Sequence, residues 1–213
     1  ACSQRPEKLP ADANLRWLSW DAQRESLPAV EGMDLDAVVH LAVPPKPFRF
    51  PQQAQAMYDV EVAATFRLLQ MAADKGIRHF LAASTGDVLG SCEDTAREED
   101  VSYKPDSFYG AMKACCELLL RAYSPNLRTA VLRFFHPYGP GGSQFLVNRM
   151  MDAVVNGKTV KIEGDEGILL NPVWVEDLAE GVCLAAESTE SGTFHFSGPE
   201  TFSLRALLEI IGT

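Results

Sequence analysis

The stretch LDAVVHLAV, from Leu35 to Val43, decides the fold class of this 213-residue sequence. It is a short apolar run with two adjacent valines, which is typical of a strand buried on both faces of a parallel sheet. Two later runs have the same character: IRHFLAAS, from Ile77 to Ser84, and RTAVLRFF, from Arg128 to Phe135. The sequence therefore predicts three buried strands.

Helical patterns separate these strands. Between the first and second strands, residues 52–76 place apolar side chains at three- and four-residue steps and end at Gly76, a common helix stop. Between the second and third strands, DSFYGAMKACCELLLRAY (residues 106–123) predicts a helix opened by an Asp/Ser cap. Strands that alternate with helices of this length indicate an α/β fold, a Rossmann-like doubly wound parallel sheet covered on both faces.

After HPYGPGG (residues 136–142) the elements become shorter and turns more frequent. The patterns predict a helix near Phe145 to Asn156, a short strand KTVKI (158–162), a helix near Val175 to Glu187, a strand TFHF (193–196), and a helix beginning at SLRALLEII (203–211). We therefore predict two domains, residues 1–136 and a smaller lobe of residues 137–213.

Composition excludes several partners. The chain is 46% hydrophobic and 23% charged, as soluble globular proteins are, and its net charge of −10 argues against nucleic acid or an anionic membrane as a partner. No apolar stretch is long enough to cross a bilayer, and the opening ACSQRPEKLP lacks the apolar core of a secretion signal. A cytoplasmic location is predicted.

The five cysteines and four histidines show no metal-ligand spacing. There is no C-x-x-C pair, and His40, His79, His136 and His195 are scattered along the chain. We interpret the cysteines as reduced, mostly buried thiols and predict no metal site. Glu117 is expected on a solvated helix face.

Tyr109 and Lys113 are four positions apart on the predicted helix, so their side chains lie on one face, one turn apart. A phenol titrates near 10 in water, and a nearby ammonium favours the phenolate. Tyrosine can then carry protons closer to neutral pH. A Y-x-x-x-K spacing alone is weak, and its neighbours must support it.

The residues that follow the predicted strands supply such neighbours. Ligands of open parallel sheets bind at the carboxyl ends of the strands. The strand from Ile77 runs into STGDVLG, which places the hydroxyls of Ser84 and Thr85 at that edge, and RTAVLRFF runs into HPYGPGG. We expect these residues to share a crevice with Tyr109.

Five motifs in order now resemble one family, the extended short-chain dehydrogenases/reductases, which include the NAD-dependent epimerases and dehydratases. DAVVHLA is similar to D-x-V-x-H-x-A, ASTGDVLG to S-[ST]-x-x-V-Y-G, and YGAMKACCE to Y-G-x-x-K-x-x-x-E. RFFHPYGPG is similar to R-x-x-N-x-Y-G-P-G, and NPVWVEDLAEGV to the H-V-D-D-x-A helix start. The resemblance spans nearly the whole chain.

The resemblance implies a role for individual residues. Tyr109 is implied as the general acid/base, Lys113 as the group that lowers its pKa and holds the nicotinamide ribose, and Thr85 as the hydroxyl that binds the reacting substrate oxygen. Thr85 is preferred to Ser84 because it lies five residues before Gly90, as the family's catalytic hydroxyl does. Further implied contacts are Asp21 with adenine, Leu41, Ala42, Val43 and His136 with the cofactor, and Ser84, Gly86 and His136 with the substrate.

The family's glycine-rich phosphate loop is not found in the sequence. That loop brings the backbone to the pyrophosphate at a helix N-terminus, and the chain begins near what resembles the end of the second strand. We therefore expect the first strand and glycine loop to precede these residues in a longer protein. Residues 1–136 are then an NAD(P)-binding domain incomplete at its N-terminus, and residues 137–213 a substrate-binding lobe incomplete at its C-terminus. NAD and NADP are both open as the cofactor, with Arg5 favouring the 2′-phosphate of NADP.

Substrate and activity stay open between alternatives. The resemblance implies an oxidoreductase or epimerase that acts on a sugar or nucleotide-sugar and forms a homodimer through two long helices per subunit. Leu170 stands where such enzymes carry a diphosphate-binding arginine, which favours a reductase of a non-sugar carbonyl. Glu61 stands where many relatives have asparagine. A non-catalytic, dinucleotide-sensing regulator is the third alternative.

Overall fold

A computed structural model describes residues 2–3, 15–24, 27, 30–90, 102–142 and 145–212. Its centre is a parallel sheet of four strands in the order β3-β4-β5-β9, where β3 is Ala37–His40, β4 His79–Thr85, β5 Arg128–Phe134 and β9 Gly192–Phe196. A separate parallel pair joins β1 (Cys2–Ser3) to β2 (Leu18–Ser19). The predicted α/β, Rossmann-like fold and its three strands are confirmed. The burial predicted for the first strand is wrong, because Val39 of β3 is 39% exposed.

The middle residues of β4 and β5 are apolar because helices cover both faces of these two strands. Every residue of β4 is buried, and alternate residues of the strand point to opposite sides. Phe80 belongs to a cluster with the helices α2 (Ala64–Asp74) and α3 (Phe108–Tyr123), whereas Leu81 packs with α5 (Val175–Glu187). This sandwich fixes the carboxyl ends of β3, β4 and β5 at one edge.

The predicted helix over residues 52–76 is interrupted. It begins as α1 (Ala54–Met57), continues as a π-helical segment over Tyr58–Ala63, and becomes regular again in α2. π-helical segments are rare in proteins, and those that occur are often found at functional sites. Glu61 lies within this one.

The smaller lobe is built around four buried apolar residues, Val147, Met150, Leu170 and Leu207. Its elements are β6 (Pro137–Tyr138) paired with β8 (Val173–Trp174), β7 (Leu169–Leu170) paired with β10 (Phe202–Ser203), and the helices α4 (Leu146–Val155) and α6 (Leu204–Gly212). The helices predicted near residues 145–156, 175–187 and 203–211 are confirmed.

One prediction about this half needs correction. KTVKI is not a strand, because residues 158–162 pair with no neighbouring strand. The division at residue 137 stays a prediction; the structure shows that β9 pairs with β5 in the central sheet and that α5 covers that sheet. None of the helices among the described residues combines the length and hydropathy that crossing a bilayer requires.

Candidate active site

The candidate site lies where β4 ends and α3 begins. Thr85 is the last residue of β4, and its hydroxyl caps a 3-10 turn (Gly86–Leu89) by accepting a hydrogen bond from the Asp87 amide at 3.3 Å. Ser107 caps α3 by accepting a hydrogen bond from the Gly110 amide at 3.0 Å, as the sequence predicted. These two caps place Thr85 and Tyr109 at the same edge of the sheet.

Glycine allows the two elements to approach closely. A Cβ on Gly110 would lie 2.7 Å from the Asp87 carbonyl oxygen, and a Cβ on Gly86 would lie 2.5 Å from the ring of Phe135. Both contacts are closer than carbon atoms tolerate. Gly86, predicted as a substrate contact, therefore has a packing requirement of its own.

The structure brings Thr85, Tyr109 and Lys113 together, as the sequence predicted. The Thr85 hydroxyl lies close enough to the Tyr109 phenol to lower its pKa slightly. One turn along α3, the buried Lys113 ammonium donates to the Ala83 carbonyl at 2.9 Å and pairs with Glu61 Oε2 at 2.8 Å. Their catalytic roles stay a prediction.

The electrostatics of Tyr109 differ from the expectation. Burial raises the pKa of the Tyr109 phenol; the Lys113 ammonium opposes this shift, while the carboxylates of Glu61 and Asp87 reinforce it. The predicted lowering by Lys113 is present, but it does not decide the direction. In the ligand-free protein Tyr109 is the protonated phenol at neutral pH.

Ser84 does not join the site. Its hydroxyl donates to Glu117 Oε1 at 2.5 Å, on the helix-covered face of β4, and Glu117 in turn pairs with Arg133. Successive residues of a strand face opposite sides, so the two hydroxyls cannot both point to one crevice. The substrate contact expected of Ser84 therefore does not fit its position. The solvated face expected for Glu117 is also wrong, since its side chain is 2% exposed.

His136 follows β5 at the same edge. Its backbone has a φ of +46°, an uncommon conformation for a residue with a side chain, and its Nδ1 is buried with no hydrogen-bond partner among the described residues. Burial lowers the pKa of the imidazole, so it is neutral at pH 7. A buried, unsatisfied ring nitrogen is a suitable contact for a bound ligand.

The other predicted cofactor contacts lie on the β2 and β3 side. Leu41 and Val43 are 49% and 39% exposed beyond the end of β3, and this open apolar surface suits a planar ring of NAD. Ala42 packs between Trp20 and the buried residues of the long helix. The Asp21 carboxylate accepts from the Gln23 amide at 3.1 Å and pairs with Arg24 at 3.2 Å. Arg5 lies outside the described residues.

These positions fit a dinucleotide. A lysine ammonium has three protons, and the contacts with Ala83 and Glu61 account for two of the three on Lys113, which leaves one for a ribose hydroxyl. This remaining proton and the exposed apolar surface of Leu41 and Val43 support the prediction that the cofactor binds at this edge of the sheet. Across the described ranges, no group of three His, Cys, Asp or Glu residues could hold a metal ion.

Sequence reasoning missed two neighbours of Tyr109. The ring of Phe48 lies 4.7 Å from the Tyr109 ring, centroid to centroid, and is 70% exposed. Asp87 contributes a carboxylate beside Thr85, with Oδ1 accepting from the hydroxyl at 3.2 Å. Phe48 belongs to the proline-rich loop after β3, so its position at a strand's carboxyl end was the available signal.

A parallel sheet with helices on both faces and a Thr-Tyr-Lys cluster at its carboxyl edge defines the class of the extended short-chain dehydrogenases/reductases. Within this class, the chain belongs to the NAD dependent epimerase/dehydratase family, whose model matches residues 1–196. The resemblance drawn from the five motifs is thereby confirmed.

Individual relatives agree with this assignment. The dTDP-glucose 4,6-dehydratase of Streptomyces griseus is 30% identical over 182 residues, which are 83% of this chain and 55% of that protein. The probable UDP-glucuronate 4-epimerase of Rhizobium meliloti (strain 1021) is 24% identical over 192 residues, covering 87% of this chain and 56% of that protein. The chain thus spans about half the length of these two relatives.

A solved structure gives the same result. MoeE5 in complex with UDP-glucuronic acid and NAD superposes with a TM-score of 0.85 at 28% identity, covering 99% of this chain and 71% of that one. The likeness includes both the central sheet and the smaller lobe, because nearly all of this chain is matched.

Proposed function

We propose that this chain provides the catalytic part of an NAD-dependent epimerase or dehydratase that oxidises or reduces a hydroxyl or carbonyl carbon of a nucleotide-linked sugar. The single observation that carries the proposal is the buried Lys113 ammonium one helical turn from Tyr109, with the Thr85 hydroxyl at the same edge of the sheet. NAD would supply the hydride chemistry. The family and the NAD and UDP-glucuronic acid of the MoeE5 complex support this substrate class.

The residues of this chain have separate tasks in the proposal. Tyr109 exchanges a proton with the reacting oxygen, and Thr85 orients that oxygen by a hydrogen bond. Lys113 holds a ribose hydroxyl with its remaining proton, while Leu41 and Val43 cover an apolar ring surface. His136 offers its unsatisfied Nδ1 to the bound ligands.

Turnover of nucleotide-sugars tests this proposal. The full-length protein is incubated with NAD and, separately, UDP-glucuronic acid, UDP-glucose and dTDP-glucose, and products are separated by anion-exchange chromatography. Tyr109→Phe is expected to lower kcat by roughly 10²–10⁴, the usual contribution of a general acid/base. The matched control Tyr123→Phe removes a phenol oxygen from the far end of α3 and leaves kcat unchanged. Undiminished turnover in Tyr109→Phe would reject the proton-carrier role.

A second candidate, a reductase of a non-sugar carbonyl, is favoured by Leu170. This residue stands where the resemblance expects a diphosphate-binding arginine, and it is fully buried in the core of the lobe. An apolar side chain cannot replace the bidentate contact of a guanidinium with phosphate. Oxidation of reduced nicotinamide by aldehydes or ketones, with no product from any nucleotide-sugar, would select this function. Cofactor binding without turnover on either panel would select the dinucleotide-sensing regulator.

The choice between NAD and NADP is tested through Arg5. The MoeE5 complex contains NAD, which supports NAD here, whereas Arg5 favours NADP. If Arg5 holds a 2′-phosphate, Arg5→Ala raises KM for NADP and leaves KM for NAD unchanged. Equal changes for both cofactors would assign Arg5 no part in the choice.

We also propose a homodimer formed through the two long helices. Tyr58 lies in the π-helical segment, Phe66 on α2 and Leu118 on α3, and these side chains are 49%, 44% and 48% exposed. Large apolar side chains on adjacent helices are suited to burial against a second copy. Sedimentation that gives the monomer mass at micromolar concentration would reject the dimer. The cytoplasmic location stays a prediction, supported by the unpaired thiols of Cys115, Cys116 and Cys183.

A further inference from the structure

A buried carboxylate, that of Glu61, contacts the lysine that lies one helical turn from the candidate proton carrier Tyr109. Glu61 Oε2 is 2.8 Å from Lys113 Nζ, and the two side chains are 1% and 4% exposed. Where many relatives of the resembled family have asparagine, this chain therefore places a carboxyl group against the lysine that lies one turn from Tyr109. Burial raises the pKa of the Glu61 carboxyl, and the Lys113 ammonium opposes that shift.

The local backbone is built around Glu61. It lies in the π-helical segment, where the Val60 carbonyl is 3.3 Å from His40 Nε2 and the Glu61 carbonyl accepts a hydrogen bond from Thr65 at 2.5 Å. The carbonyls of Val60 and Glu61 thus have buried side-chain partners, and the Glu61 side chain contacts Lys113 from the same segment.

The negative charge of Glu61 weakens the effect of the Lys113 ammonium on the phenol of Tyr109. An isolated ammonium one turn from Tyr109 favours the phenolate, but an ammonium paired at 2.8 Å has a field that the carboxylate partly offsets. Glu61 Oε1 is buried with no hydrogen-bond partner in the described part of the chain, so Lys113 is the partner through which the carboxylate is satisfied.

We propose that Glu61 is a positioning residue that fixes the Lys113 ammonium one helical turn from Tyr109 and offsets part of its charge, so that Lys113 favours the phenolate of Tyr109 less strongly. This inference rests on the proposed function, in which Tyr109 exchanges the proton with the substrate oxygen. On donation, the phenol O–H bond breaks and an O–H bond to the substrate oxygen forms, leaving the phenolate beside the Lys113–Glu61 pair.

Several charged or titratable groups face this cluster from the neighbouring elements. They are His40 at the end of β3, Glu61 in the π-helical segment, Asp87 in the 3-10 turn, and Lys113 and Cys116 on α3. Among them, Glu61 and Asp87 are the carboxylates that act on Tyr109, and Glu61 is the one in contact with Lys113.

Titration of Tyr109 tests the proposal without any substrate. The five tyrosines of the full-length, cofactor-free protein are labelled with ¹³C at Cζ, and the Tyr109 signal is identified by its loss in Tyr109→Phe. In Glu61→Gln, the midpoint of the Tyr109 signal is expected to fall by about one pH unit or more, since the ammonium is no longer compensated. Asp59→Asn removes one exposed charge from the same helical segment and leaves the midpoint unchanged.

A second variant covers the case in which Glu61→Gln does not fold. Lys113→Met with Glu61→Gln removes both charges and leaves no buried ion alone, and the Tyr109 midpoint is expected to stay close to that of the parent protein. A midpoint in Glu61→Gln equal to that of the parent protein would overturn the proposal, as would a double variant whose midpoint rises by a full unit.

The two proposals fail separately. An unchanged midpoint in Glu61→Gln, combined with turnover lost in Tyr109→Phe, would overturn the role of Glu61 and leave the proposed function standing. A shifted midpoint with no turnover on any substrate panel would support the role of Glu61 and reject the catalytic assignment.

Discussion

Removing the carboxylate of Glu117 is expected to destabilise the protein severely. Glu117 on α3 forms a bidentate pair with Arg133 on β5, with Oε1 3.0 Å from Nε and Oε2 2.8 Å from Nη2, and each side chain is 2% exposed. Ser84 on β4 donates to the same carboxylate. Glu117→Leu leaves the guanidinium buried without its counter-charge, which costs about 3–5 kcal/mol.

That cost is a large share of the free energy of unfolding of a typical domain, about 5–15 kcal/mol. At roughly 2–4 °C per kcal/mol for a chain of this size, the melting temperature falls by about 6–20 °C. Burial is nearly complete, so solvent screening does not reduce these values. The measurement is urea-induced unfolding followed by circular dichroism.

The matched control is the double variant Glu117→Leu/Arg133→Met. It replaces both charges by apolar side chains, and replacing a buried pair in this way is often neutral or stabilising. The double variant is therefore expected to be more stable than Glu117→Leu alone. A loss under about 1 kcal/mol in Glu117→Leu, or a double variant whose cost equals the sum of the two single costs, would refute the reasoning.

Three other predictions concern pH, packing and the site hydroxyl. Burial, with a smaller contribution from Lys113, lowers the pKa of His40 to about 4. The contribution of neutral His40 to the free energy of unfolding is therefore complete above about pH 6.5 and falls by about 3 kcal/mol as the pH decreases toward 4. Unfolding measurements on His40→Gln are expected to show no such decrease. Gly110→Ala brings a Cβ against the Asp87 carbonyl and is expected to cost about 1–3 kcal/mol and lower kcat, which thermal unfolding and turnover would show together. Thr85→Val is expected to lower kcat by roughly 10²-fold, with Thr85→Ser retaining most activity in the same assay.

The parts of the fold that follow from local pattern could be predicted from the sequence. β4 and β5 have apolar middle segments because both of their faces are covered, and α3 shows a capping serine followed by helical periodicity. KTVKI has an alternating pattern too, but a strand needs a partner, and no pattern inside five residues specifies one. The pairing of β9 with β5 is likewise a contact between distant segments, which the pattern within TFHF could not predict.

The candidate site also has one part that local sequence pattern predicts and one part that depends on contacts between distant segments. Tyr109 and Lys113 meet because of helical spacing, which can be read directly from the sequence. The pair between Lys113 and Glu61 joins residues 52 positions apart and depends on how the interrupted helix packs against α3. The sequence marked Glu61 as a departure from the family pattern, but it could not show that burial would raise the pKa of Tyr109 or that the carboxylate would add to that shift.

Strand geometry alone distinguishes the two adjacent hydroxyls, those of Ser84 and Thr85. Phe80 and Ser84 are an even number of residues apart on β4, so once Phe80 is known to face α3, Ser84 must face it as well. Thr85, one residue further, is then directed away from that buried network and lies near Tyr109 at the sheet edge. The family spacing to Gly90 selected the same hydroxyl for a different reason. The two arguments are independent and select the same residue. Because side chains alternate along a strand, exchanging the roles of Ser84 and Thr85 would require β4 to shift by one residue against the core.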